Sequence, residues 1–140
     1  MPLEFIYNTD YTLTDEKLHS AWIKSAIFSE NYGLGKIVFA FFNDEEVKKL
    51  NKKFLNKDYY TDVISFNETN DKIISGNIAI SVDRVKENSK KFKCTFQDEM
   101  RRVMIHGLLH FMGYNDQNNE ASAKMRKKEN EKIKMFHVER

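Results

Sequence analysis

Apolar and polar positions along the chain follow two rhythms, short runs of strand length and longer stretches at helical spacing. "LEFIY" (3–7) reads as a first strand. Thr14 is placed to cap a helix whose apolar positions Leu18, Ala21, Trp22 and Ile27 fall near helical spacing, and "YGLGK" (32–36) ends it. "IVFAFF" (37–42) is an unbroken apolar run, the signature of a strand covered on both faces. Asn43 or Asp44 then caps a short helix with Val47 and Leu50 inward. "TDVISF" (61–66) and "GNIAISV" (76–82) are strand candidates, joined by the polar stretch "NETNDKIIS", which reads as a turn or an edge strand. Asp83 opens a charged helix reaching about Phe92. From Thr95 to Met112 the spacing of Met100, Val103, Met104, Leu108 and Phe111 predicts a buried helix that Gly113 stops. A charged amphipathic helix follows from Asn118, with Ala121, Met125, Ile133 and Phe136 as its apolar positions. Strands interleaved with helices predict an α/β or α+β domain of about four strands and about five helices.

With 140 residues, 41% of them apolar and 31% charged, residues 1–140 fit one globular domain with one core. Cys94 is the single cysteine, which excludes an intramolecular disulfide and a multi-cysteine zinc site and suits a reducing cytoplasm. No apolar run reaches the roughly 20 residues of a membrane span, and "MPLEFIYNTD" lacks the pattern of a signal peptide. A net charge of +2 permits an acidic partner such as RNA without requiring one.

The chemistry concentrates in "HGLLHFMGYND" (106–116). His106 and His110, four apart, stack on one helix face with Cβ atoms about 6 Å apart. Gly113 can turn the chain back so that Asp116 approaches from a third direction. A pair of histidines at this spacing is common without a metal; the glycine and the aspartate are what turn it into a ligand set. Three protein ligands leave a fourth position open, the arrangement of catalytic rather than structural zinc. The spacing also fits the metzincin frame, but the residue after His106 is Gly107, where a protease carries its glutamate base. A metal-dependent hydrolase of an amide is therefore disfavoured, and a phosphodiester is the better substrate.

These residues resemble the YbeY endoribonucleases, the ribosomal RNA maturation factors. "HGLLHFMGYND" is similar to the family signature His-Gly-x-Leu-His-x-x-Gly-Tyr-Asp-His, "LNKKFLNKDYYTDVISF" (50–66) to its Leu-Asn…Thr-Asp-Val-Leu-Ser-Phe block, and "SGNIAIS" (75–81) to its Gly-Asp-Ile-x-Ile strand. The resemblance implies a single α+β domain with a small mixed sheet and one zinc ion per chain held by His106, His110 and Asp116. It also implies a role with pre-ribosomal particles in small-subunit (16S) ribosomal RNA maturation and ribosome quality control. No small-molecule cofactor is implied. Three positions depart from the family. Asp116 stands where the last ligand is usually histidine, which should alter affinity or metal preference. Leu55 stands where an arginine is usual, leaving Lys57, Lys53 or Arg102 to meet phosphate. Asn77 replaces an acidic residue that could act as base or orient the metal.

Lys57 and Arg102 are thus the candidate catalytic residues. Arg102, one turn before His106, either meets phosphate or pairs with Asp98. Asp62 and Ser65 either hold a loop and a strand end or contact the site. "KMRKKENEKIK" (124–134) reads as a solvated helix face, or more sharply as an RNA-contacting patch. His19 and His137 lack ligand-like neighbours, and Cys94 lacks the partners of a nucleophile. The rival from another class is a non-catalytic RNA-binding ribosome-assembly factor with a structural zinc, favoured by Leu55 and Asn77.

Overall fold

The computed structural model describes residues 3–138. In chain order the elements are β1 (Leu3–Tyr7), α1 (Glu16–Ser29), β2 (Gly33–Phe42), α2 (Asp44–Leu55), β3 (Val63–Asn67), β4 (Ile73–Ser81), α3 (Val82–Lys91), α4 (Phe96–Phe111) and α5 (Asn119–Val138). The sheet order is β1-β2-β4-β3. β1 and β4 run parallel to β2, and β3 pairs antiparallel with β4, so the sheet is mixed and the fold is α+β, as expected.

One face of the sheet carries the main core. Ile37, Phe39 and Phe41 of β2 and Ile74, Ile78 and Ile80 of β4 meet Trp22, Ile23, Ala26 and Ile27 of α1 and a long stripe of α4. Each Ile or Phe among them, fully buried, contributes about 1.5–3 kcal/mol. The opposite face is covered by less: Val47 of α2 packs on Ile64 and Ala79. This corrects the reading of "IVFAFF". The strand alternates buried and half-buried positions, because α2 shields only the β3–β4 side of that face and leaves Ile6 of β1 42% exposed.

Other boundaries also shift. The cap of α1 is Asp15 in the left-handed region (φ 58°), whose carboxylate accepts from the Leu18 N–H; Thr14 lies outside. Ala21 is exposed, and Ile23 and Ala26 take the inward places. "YGLGK" does not end the helix. Gly33 opens β2, and Gly35 passes so near β4 that an added Cβ would sit 2.8 Å from the Ile74 carbonyl oxygen. The "NETNDKIIS" stretch is the turn of a β3–β4 hairpin, closed by Asn70 and Ile73 with Asp71 left-handed, and β4 starts at Ile73. Ser81, not Asp83, caps α3. Asn43 caps α2, and Thr95 caps α4.

The final helix departs most from expectation. Its charged run is not wholly a solvated face, because Glu129 and Lys132 are buried. They share the 125, 129, 132, 136 stripe with Met125 and Phe136, so the spacing that buries those two buries the charges as well. Among the described residues no helix is long and apolar enough to cross a membrane.

Candidate metal centre

α4 lies across β3 and β4 at the edge of the sheet. Its cap is Thr95, which accepts from the Asp98 N–H at 3.0 Å. Its far end is closed by Gly113 (φ 94°), with the Gly113 N–H bonded to the His110 carbonyl and the Tyr114 N–H to that of Leu109. A residue with a side chain would be strained at that φ. The turn sends residues 114–118 back along α4 and returns Asp116 to His106.

The three ligand candidates converge. Nε2 of His106 lies 3.0 Å from Nε2 of His110 and 3.7 Å from Oδ2 of Asp116, and the three atoms all fall within 4.8 Å of one another. A tetrahedral zinc with bonds of about 2.0–2.1 Å holds its ligands about 3.3 Å apart, so one ion fits between them with small side-chain movement. The two histidines are half-buried and Asp116 is 53% exposed, so the site is open on the aspartate side.

Glu129 completes the geometry from α5. Its Oε2 lies 2.6 Å from Nδ1 of His106, and its Oε1 accepts from Nη1 of Arg102 at 3.1 Å. Nη1 of Arg102 also reaches Asn130 at 3.0 Å. The expected pairing of Arg102 with Asp98 does not form; Asp98 is held by Arg101 at 3.1 Å, one turn away on a different face. Burial disfavours a charged imidazole at His106, yet Glu129, Asp116 and Asp62 outweigh it and raise its pKa. His110 is pushed the other way by burial and by His106 beside it. Burial works against the Glu129 carboxylate too, but His106 and Arg102 keep it below its ordinary range.

A cleft of about 420 Å³ opens over the cluster, lined by Leu55, Lys57, Thr61, Asp62, Ser65 and Asn67 along with His106, His110 and Asp116. β3 is the edge strand here, so the cleft runs beside an unpaired sheet edge. Of the three cations that could stand in for the family arginine, Lys57 lines this cleft. Lys53 sits over the Phe54 ring, and Arg102 is held by Glu129 in a neighbouring cavity of about 220 Å³. Leu55 does occupy the cleft wall, 43% exposed. Asp62 stands between a backbone tie and the cleft. Its carbonyl takes the Ser81 N–H, and its carboxyl, raised by burial, lines both cavities. Ser65 faces α4, with Oγ 3.1 Å from where a Cβ on Gly107 would stand.

Gly107 now has a physical reason. A Cβ there would lie 3.0 Å from Ile78 Cγ2, so with any other residue at this height the Ile78 side chain or α4 must give way. The position faces Ile78 of β4 and Ser65 of β3. Asn77 is also remote: it lines the apolar groove beside α2 with Phe54 and Phe66, on the other face of the sheet. The carboxylate absent at 77 is therefore no loss to the metal cluster. His19 is packed against Trp22 and Phe136 and hydrogen-bonded to the Asp15 carbonyl; His137 lies 3.4 Å from Asp98. Neither approaches the cluster. Cys94 is exposed, with Glu99 at 3.8 Å.

Comparison with known proteins bears on the whole of this arrangement. The chain is 43% identical over 137 residues to endoribonuclease YbeY of Flavobacterium johnsoniae, covering 98% of this chain and 99% of that one. It is 44% identical to the protein of the same name from Christiangramia forsetii, with 98% and 96% covered. A solution structure of a Thermotoga maritima protein shares the fold, with a TM-score of 0.68 at 24% identity, over 98% of this chain and 90% of that one. The family model described as endoribonuclease YbeY matches residues 6–137, a span that holds α4, the Gly113 turn, Asp116 and Glu129 alike. A match running through both ends of the site places this chain in the endoribonuclease YbeY family.

Proposed function

We propose that this chain is a metal-dependent endoribonuclease. It cuts single-stranded RNA in small-subunit (16S) ribosomal RNA maturation and quality control, acting on pre-ribosomal particles in the cytoplasm. Residues 1–140 form one catalytic domain. The observation that carries the reading is the convergence of His106, His110 and Asp116 at the floor of a cleft bounded by an open sheet edge. Two imidazole nitrogens and one carboxylate suit zinc, one ion per chain. A zinc ion held there supplies Lewis acidity to a phosphate oxygen or to water.

The chain's own residues do the rest. Lys57 holds a phosphate at the cleft mouth. The exposed side of Asp116 leaves the approach to the cluster open. Gly107 offers no general base, which turns the site away from peptide hydrolysis. The test is cleavage of a single-stranded ribosomal RNA precursor by the wild-type protein beside His110→Ala and Asp116→Ala. Cutting by the wild type and its loss in both variants is expected; equal cutting by all three would end the proposal. The rival, an RNA-binding assembly factor with a structural zinc, is favoured by Leu55 in the cleft wall. It predicts RNA binding without turnover in zinc-loaded protein.

A further inference from the structure

A buried carboxylate beside the metal cluster is not among its three candidate ligands. Glu129 stands on α5, 23 residues beyond His106, with its side chain 5% exposed. Burying a carboxylate is costly unless each oxygen finds a partner. Here both do. Oε2 faces Nδ1 of His106 at 2.6 Å, and Oε1 meets Arg102 at 3.1 Å, with Arg126 at 3.7 Å. An ionised carboxylate can only accept, so the proton of this bond sits on Nδ1. In the neutral ring that binds a metal, this leaves the lone pair of His106 on Nε2, the atom aimed at His110 and Asp116.

We propose that Glu129 is a positioning residue for metal binding: it fixes the tautomer and ring orientation of His106, and Arg102 braces it in turn. The inference rests on the metal-site reading and adds a layer to it. It also gives Arg102 a role other than phosphate contact. Nη1 of Arg102 is shared between Glu129 and Asn130, and its Nε faces Glu99 at 4.0 Å, so the guanidinium acts through Glu129. A mere tie between α4 and α5 would also use this bond. The two differ in what they predict for metal affinity at constant fold. A carboxylate on the far nitrogen raises the basicity of the ligating one, and its loss in such pairs costs about 10–100-fold in metal affinity.

The experiment measures zinc dissociation constants by chelator competition for wild type, Glu129→Gln and Glu129→Leu, with melting temperatures of the metal-free proteins alongside. Glu129→Gln keeps an acceptor and is expected to bind zinc about tenfold more weakly. Glu129→Leu removes it and is expected near the hundredfold end of that range. Metal-free melting temperatures that fall while zinc affinity stays within twofold of wild type would mean a helix tie only, and would overturn the inference. Should Glu129→Leu not fold, the wild type itself decides, by proton–nitrogen correlation NMR of His106 in the zinc-loaded state. A proton on Nδ1 is expected there, and a proton on Nε2 overturns the inference. A wild type that binds no zinc overturns the metal reading and this one with it. Tight wild-type binding with unchanged variants overturns this one alone.

Discussion

Nζ of Lys132 sits 2.6 Å from Oε2 of Glu30, and the lysine side chain is only 1% exposed. Glu30 ends α1, and Lys132 lies deep in α5. Lys128 at 3.0 Å and the Tyr114 hydroxyl at 2.7 Å converge on the same carboxylate, and Ser29 takes another Lys132 proton at 2.8 Å. Trp22 donates to the Lys132 carbonyl at 2.6 Å. This cluster joins the first helix, the last helix and the Gly113 turn that delivers Asp116.

Burial opposes the Glu30 charge, but Lys132, Tyr114 and Lys128 outweigh it and bring its pKa down from 4.5 to about 2. A depressed carboxylate contributes stability that is full above its unfolded value and lost as pH falls through its folded value. The Glu30 share therefore holds above pH 4.5 and drains away between 4.5 and about 2. Glu30→Gln strands a buried ammonium and is expected to cost about 3 kcal/mol at neutral pH. Urea unfolding at neutral and acid pH checks this. The gap between wild type and variant should shrink as pH falls, and a gap independent of pH would refute the linkage.

Zinc should stabilise the folded chain by mass action, about 2.7 kcal/mol at a free concentration of about 100 Kd. Thermal melts with zinc, and then with excess chelator, should show a rise of several degrees and its reversal. His110→Ala should show neither, since it removes one of the three candidate ligands that converge among the described residues. A variant that responds to zinc like wild type would place the ion elsewhere.

Gly107→Ala should destabilise the fold by about 1–3 kcal/mol, because the new methyl group meets Ile78 at 3.0 and 3.1 Å and Ser65 at 3.1 Å. Denaturant midpoints would report it. Gly107→Glu should not create peptidase activity, because its Cβ has no free room beside Ile78 and Ser65 and the helix that carries His106 and His110 must shift to admit it. A hydrolysed peptide substrate would contradict the packing argument.

Lys57→Ala should raise KM for RNA several-fold and flatten the salt dependence, since one phosphate contact contributes about one unit of slope. Leu55→Arg should act in the opposite direction, as it adds a guanidinium to the same cleft wall. Cleavage rates across a salt series check both. Equal slopes for wild type and Lys57→Ala would remove Lys57 from the RNA path.

Much of this fold is visible in local pattern. β1, the caps at Asn43 and Thr95 and the buried face of α4 follow from spacing and capping chemistry, which act within a few residues. The candidate ligand triplet is legible for the same reason: His106, His110 and Asp116, with the Gly113 turn between the last two, lie close together in sequence. Glu129 was not legible, because its partner is 23 residues away and its neighbours are charged. The stripe 125, 129, 132, 136 is the signal that could have found it. Asn77 is not beside the metal cluster, because a sequence does not show which face of a sheet a side chain takes; the packing of Gly107 on Ile78 was not visible either, because a sequence does not show how closely a helix rests on a sheet.

The bond between Glu129 and His106 also carries a timing. His106, His110 and Asp116 are all in the chain by position 116, yet Glu129, bonded to His106, and the Lys132 anchor lie on α5, which follows them. During synthesis the earlier segment emerges first with its histidines unbraced, and the metal cluster is finished only when α5 docks against α4 and α1.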